Sequence, residues 1–363
     1  MTEKRQNFKD LYLTLITREK KVLKYGISIN IDLNNFDFEK ENFSKNKIQT
    51  KINSKRFSLK EEKIKNQKVL FKNEIDKLHF SNLKKELTLT IPKNKILVDP
   101  IRINNEIQSD NSLQQISIKV GEGSEVTIIE VLKDKTKSKG LNTKFVNIHA
   151  SKNSKVHYVH IQKINMNKLH YSRKIGVAQK NSEINWYDFS LGGKTSVSDV
   201  TTFLQGVGSK VDTQSIFFAT KDQQFDMLGQ AIHEAKETLS KVSGKGVVKN
   251  SSKALYRGNI FMKKKAPKSV GGQKGEILIL DNQAEADAIP QLLIDNDDVK
   301  CSHAVAIGRI DSEKLFYLMT RGVTEEEAKN EVVKGFFETA IKNIKAESIA
   351  QEMRTEINQK LIK

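Results

Sequence analysis

The chain has 363 residues, more than one hydrophobic core usually holds, so two or three structural units are expected. Hydrophobic residues make up 37% and charged residues 29%, which is polar for a globular protein but short of disorder, as a shape with much surface per core residue would give. The net charge is +18, yet Lys far outnumbers Arg and alternates with Asn and Ile, with few aromatics interleaved. That composition argues against a nucleic-acid footprint and for a solvated, lysine-rich surface.

One cysteine, Cys301, excludes an intrachain disulfide and an all-cysteine metal site. The first residues lead into no apolar signal segment, and no apolar run is long enough to span a bilayer. A soluble, cytoplasmic protein without membrane insertion is the expectation.

Residues 1–90 read as a variable N-terminal region. Within it, residues 10–24 have the spacing of an amphipathic helix carrying Leu11, Leu15, Ile16 and Val22. Residues 25–89 mix short alternations (Ile27, Ile29, Ile31) with charged connectors. Order begins near Leu87, where apolar and polar residues alternate as in a strand with one buried face.

A repeat follows. Gly123-Ser-Glu-Val, Asn153-Ser-Lys-Val, Asn181-Ser-Glu-Ile and Gly208-Ser-Lys-Val are four copies of one turn, with serines at 124, 154, 182 and 209. Gly and Asn tolerate the left-handed backbone of a tight corner, and the β-branched residue starts the next inward-facing strand. A period of roughly 20–50 residues is that of one solenoid coil. The pairs Val126/Ile128, Val156/Tyr158 and Ile184/Trp186 supply alternating inward residues after each turn. An antiparallel sandwich also uses short strands and polar turns, but near-constant spacing of one turn chemistry favours a stacked β-solenoid over residues 91–310. Gly192-Gly193 and Gly271-Gly272 read as further corners.

Residues 311–363 change period and form a helical domain. Asp311 can cap a short helix carrying Leu315, Phe316, Leu318 and Met319, which Gly322 stops. Thr324 and Glu327 fit a capping box ahead of a second helix with Val332, Val333, Phe336, Phe337, Ala340, Ile341 and Ile344 on a broad stripe. Residues 347–362 read as a polar, partly solvated helix.

Chemistry is sparse. There is no phosphate-cradling loop, zinc-type cysteine pair or nucleophile elbow. The histidines fall mostly on strands and read as surface or interface residues; His157 and His160 point to opposite faces. Cys301 and His303 stand at i and i+2 of a strand, side by side on one face, where an imidazolium could favour a thiolate. On spacing alone, a buried cysteine acting as a small hydrophobe is the stronger reading.

Residues 278–310, followed by Leu315-Phe-Tyr-Leu-Met-Thr-Arg-Gly-Val-Thr-Glu-Glu-Glu-Ala, resemble the SufB/SufD family of iron–sulfur cluster assembly. Ser190-Leu-Gly-Gly, Ile232-His233, Ala254-Leu-Tyr-Arg-Gly258 and Gly335-Phe-Phe-Glu338 add to the likeness, which covers roughly residues 115–340. The resemblance implies a mainly β fold, a right-handed parallel β-helix with a C-terminal helical domain that docks the SufC-type ABC ATPase. It also implies pairing with a SufB-like chain, or with a second copy, through the last strands, with a transient iron–sulfur cluster shared there and no permanent cofactor. His303 would be the candidate ligand and Cys301 a weaker one. Leu315, Phe316, Tyr317, Leu318, Met319, Arg321, Gly322, Phe336 and Phe337 would lie on the ATPase-docking helices. The SufB-type pattern has Glu after the histidine, where this chain has Ala304, and one cysteine cannot relay sulfur; both points favour a SufD-like, non-catalytic partner. A SufB-like homodimeric scaffold is the alternative within the family. A β-helix carbohydrate-active enzyme would need carboxylates along one strand stack, whereas Asp281, Glu285, Asp287, Asp295, Asp297 and Asp298 are expected largely on turns.

Overall fold

The computed structural model describes residues 43–54, 56–63, 73–342, 344 and 347–362. The helix expected at 10–24 and the alternations at Ile27, Ile29 and Ile31 lie outside them. The fold is a parallel β-solenoid of two nine-stranded sheets, between which successive strands alternate from the strand beginning at Lys85 onward. Sheet A runs β1 (Ile48–Asn53), β4 (Ile101–Ile107), β6 (Glu125–Asp134), β8 (Lys155–Lys163), β10 (Glu183–Ser190), β12 (Lys210–Ala219), β14 (Leu239–Val248), β16 (Ser269–Ile279) and β18 (Val299–Arg309). Sheet B runs from β17 (Glu285–Ile294) back through β15 (Lys253–Met262), β13 (Gln224–His233), β11 (Thr195–Leu204), β9 (Lys168–Ala178), β7 (Gly140–Ala150) and β5 (Ser112–Val120) to β3 (Lys85–Ile91) and β2 (Lys60–Lys63). Every ladder is parallel except β1 on β4 and β2 on β3, which close the N-terminal end. Parallel ladders exclude the sandwich.

The corner expected from the repeat is present and longer than the repeat. Asn94, Gly123, Asn153, Asn181, Gly208, Glu237 and Lys268 all have φ between 54° and 70°. Each donates its N–H to a carbonyl of the next coil, from Asn94 to Glu122 at 2.8 Å through Glu237 to Pro267 at 2.9 Å. The following Ser124, Ser154, Ser182 and Ser209 are buried, with Thr238 and Ser269 continuing their column. Glu237 and Lys268 carry no turn signature. Their left-handed backbone is held by hydrogen bonds to the stacked coil, a tertiary cause that a local motif does not reveal. Gly271 and Gly272, by contrast, lie inside β16 rather than at a corner. A Cβ on Gly271 would come 2.8 Å from Met262 Cε and 3.0 Å from Ile260 Cγ2, so its bare backbone makes room for sheet B.

Between the sheets, Val126, Val156, Ile184, Tyr158 and Trp186 belong to one apolar core, as their alternation predicted. Trp186 is fully enclosed, edge-on to Tyr158 at 5.4 Å, and its indole N–H donates to Thr202 Oγ1 at 2.9 Å. A buried indole without that acceptor would be costly.

The outer faces are covered. On sheet B, α1 (Glu74–Asn82) places Ile75, Leu78 and Phe80 against Leu141, Phe145 and Tyr171. The outer face of sheet A (Ile129, Val131, Val159, Ile161, Phe189, Phe218) receives the C-terminal helices. The residues packed there come from α3 (Glu325–Ile341) and α4 (Glu347–Ile362), whereas α2 (Ser312–Met319) buries none of its own. Asp311 caps α2 through Glu313 N, and Thr324 with Glu327 makes both bonds of the capping box on α3. As expected, α4 is partly solvated, with Glu347, Gln351 and Thr355 exposed. Ile349, Ala350, Met353, Ile357 and Leu361 form a buried stripe at near four-residue spacing, diluted in the sequence by the charged face opposite. Glu352 ties α4 to Arg102 at 2.7 Å and to Lys163 at 3.0 Å.

Candidate functional site

Among the described residues, the solenoid ends on two strands without a further neighbour, β17 in sheet B and β18 in sheet A. In-register pairing sets Cys301 beside Gly271 and His303 beside Gln273. Parallel neighbours point the same way, so Cys301 and His303 share the inward face of the last coil, as their spacing predicted. Beyond that they differ. Cys301 is half-buried and packs on the core that holds Ile260 and Met262, whereas His303 is exposed. Burial pushes the Cys301 thiol up, with a backbone hydrogen bond at Gly271 working against it, so the protonated thiol prevails at neutral pH. Among the described residues no group of three or more His, Cys, Asp or Glu could hold a metal ion. A cluster takes about four ligands, so this pair offers at most part of a site. Around it, Leu293, Ile294, Val305 and Ile307 are exposed on the same two strands. The acidic residues divide: Glu285 and Asp287 sit on β17, while Asp281, Asp295, Asp297 and Asp298 lie off the strands.

A second exposed apolar group lies on α2. Phe316 is 68% and Tyr317 56% exposed, Met319 is exposed, and Leu315 and Leu318 are half-buried. The Arg321 guanidinium sits over the Tyr317 ring, 4.8 Å from its centroid, and also bonds its hydroxyl. Gly322 follows with φ +94° and open space around it. Phe336 and Phe337 play different parts. Phe337 is 1% exposed and faces Phe218 at 5.8 Å, so it fastens α3 to sheet A and presents nothing to a partner. Phe336 is half-buried under Lys245, whose Nζ lies 4.3 Å from its ring centroid.

The surface reading of the histidines is overturned for most of them. His79, His157, His160, His170 and His233 are buried. His160 belongs to an ionic cluster between the sheets. Its Nδ1 donates to Asp188 at 2.8 Å, Lys174 Nζ lies 3.0 Å from the same carboxylate, and Lys144 and Tyr158 both bond Glu130. Burial would raise both carboxylates, but Lys174 with His160 holds Asp188 low, and Lys144 holds Glu130 low. Lys144, Lys168 and Lys174 are thus enclosed, contrary to a purely superficial lysine bias. One sign was available: Glu130 interrupts the apolar run from Ile128 to Leu132 at an inward-facing position.

Residues 102–336 match the family described as SUF system FeS cluster assembly, SufBD core domain. Among curated proteins, the chain is similar to an iron–sulfur cluster assembly SufBD family protein of Staphylococcus epidermidis, 33% identical over 260 residues, covering 71% of this chain and 56% of the relative. Its namesakes in Staphylococcus haemolyticus (32% over 260 residues) and Staphylococcus aureus strain MRSA252 (33% over 260 residues) have the same coverage. The chain therefore spans about half the length of the curated relatives it matches. With the matched segment running from β4 into α3 and more than half of the chain inside it, the protein belongs to the SufBD family of iron–sulfur cluster assembly proteins.

Proposed function

We propose that the chain is a SufD-like, non-catalytic scaffold subunit of a cytoplasmic SufBCD-type complex. It pairs through the open end of the solenoid with a SufB-like chain or a second copy of itself. It binds a SufC-type ABC ATPase through α2 and α3, and it presents His303, with Cys301 as a weaker donor, to a transient cluster held between the chains.

The observation that carries this reading is the bare edge of β18, where His303 is exposed among Val305 and Ile307 instead of being covered by another coil. Unpaired strand edges with exposed apolar residues invite strand addition. The exposed Phe316, Tyr317 and Met319 on α2 support a second docking surface at the helical domain. Ala304 after His303, and a single cysteine, favour the SufD-like role over the sulfur-accepting one.

The test is co-expression with the neighbouring ATPase and a SufB-like chain, followed by reconstitution with iron and sulfide. Phe316→Asp with Tyr317→Asp is expected to abolish ATPase co-purification while leaving chain pairing intact. His303→Ala is expected to leave the assembly whole and lower cluster yield several-fold. Failure of the unaltered chain to retain the ATPase would overturn the reading, and a normal yield with His303→Ala would remove that histidine from the site.

A further inference from the structure

On the inner face of sheet A, one row of side chains runs through Tyr158, Trp186, Thr213, Val242, Gln273 and His303, each in register with the next. All but His303 are enclosed. Gln273 is the last covered member, 5% exposed, and its Oε1 is buried with no hydrogen-bond partner. Across the core, Gly258 leaves room for it: a Cβ there would fall 2.3 Å from Gln273 Nε2 and 2.8 Å from its Cδ. The carboxamide therefore lies against bare backbone in a space that a side chain on β15 would fill.

A buried carbonyl oxygen without a donor costs about 1–3 kcal/mol, so an isolated chain gains nothing from this arrangement. The donor that can meet it is one strand away. His303 is the in-register neighbour of Gln273 on the same face, at the roughly 4.8 Å spacing of paired strands. Its side chain is exposed, and among the described residues no strand pairs with the outer edge of β18. We infer that Gln273 is a positioning residue for His303. When a second solenoid closes over the open end, Gln273 Oε1 accepts the His303 Nδ1–H. That bond fixes one tautomer and one ring orientation, and it leaves Nε2 as the lone-pair donor facing the partner. A histidine that binds a metal through one nitrogen is commonly held through the other in this way. The inference rests on the proposed reading of His303 as a ligand, and it deepens that reading by naming what aims the ring.

The experiment uses the full chain in its paired assembly, free of cluster and labelled with [15N]histidine, with the His303 signals identified by their loss in His303→Ala. Nitrogen shifts report which ring nitrogen carries the proton. The unaltered chain is expected to show a single Nδ1–H tautomer at His303. Gln273→Met keeps the volume over Gly258 without the acceptor and is expected to give a tautomer mixture dominated by Nε2–H. Gln273→Glu restores an acceptor, so it is expected to recover the Nδ1–H form. Thermal melts of both variants serve as the folding control, and a single cooperative transition is expected for each. An Nδ1–H tautomer that persists in Gln273→Met, or an Nε2–H tautomer in the unaltered chain, would overturn the inference. The readout needs no cluster, so the two ideas fail separately. A tautomer switch beside normal cluster yield in His303→Ala would retain the positioning and remove the ligand. An unmoved tautomer beside lost yield would do the reverse.

Discussion

His79 and His233 are neutral residues locked among hydroxyls and rings. His79 Nδ1 lies 2.7 Å from Thr143 Oγ1 with its ring 4.1 Å from that of Phe145, and burial with nearby Lys144 and Arg173 lowers its pKa to about 3. His233 bonds Thr238 at 2.6 Å and Ser240 at 2.8 Å, and burial lowers its pKa to about 4. Both fall below the unfolded value near 6.5, so the unfolded chain binds protons first as pH drops. Their contribution is complete above about pH 6.5 and is lost progressively toward pH 4 and 3. Thermal melts are expected to show a midpoint that falls steadily below pH 6.5. His79→Gln should be less stable at pH 7.5 but show a shallower decline; an unchanged pH slope would remove His79 from the effect.

Among the elements, α3 is held by two different kinds of contact. Phe337 enters the apolar layer on sheet A, and Lys245 of β14 reaches Glu276 of β16 at 3.2 Å, Thr339 Oγ1 at 2.7 Å and the Phe336 ring. Phe337→Ala is expected to cost about 3–5 kcal/mol in urea unfolding, as emptying a well-packed aromatic site does. Lys245→Ala should leave the melt nearly unchanged but speed amide exchange in α3 and not in β6; uniform exchange would show that Lys245 does not clamp the helix.

Much of this level was legible from sequence. The caps at Asp311 and Thr324, the stripe of α3, and the corners at Gly123, Asn153, Asn181 and Gly208 are local devices with local signatures. The αL corners at Glu237 and Lys268 were not, because backbone hydrogen bonds from a coil about 30 residues away hold them there. The candidate site divides in the same way: the shared face of Cys301 and His303 follows from strand alternation. The orphaned Gln273 oxygen and the Glu130 and Asp188 ion pairs do not, because they depend on which residues the two sheets bring face to face.

Across the whole molecule, the two ends of the solenoid are unlike. At one, β1 and β2 turn antiparallel, and β2 is Lys-Glu-Glu-Lys, entirely exposed, a charged edge that discourages further strand addition. At the other, β17 and β18 end with Leu293, Ile294, Val305 and Ile307 in the open. In the terms of polymer growth, the pairing proposed above would give such a unit a functionality of one. A body with two adhesive ends would propagate into a filament, whereas the proposed pairing would terminate the assembly at its first union. Sedimentation at rising concentration is expected to stop at paired solenoids, and Ile307→Lys should give single chains with an unaltered melt. Concentration-dependent fibres would contradict it. Under the proposed pairing, strand direction at one end of the fold would set the stoichiometry of the assembly formed at the other.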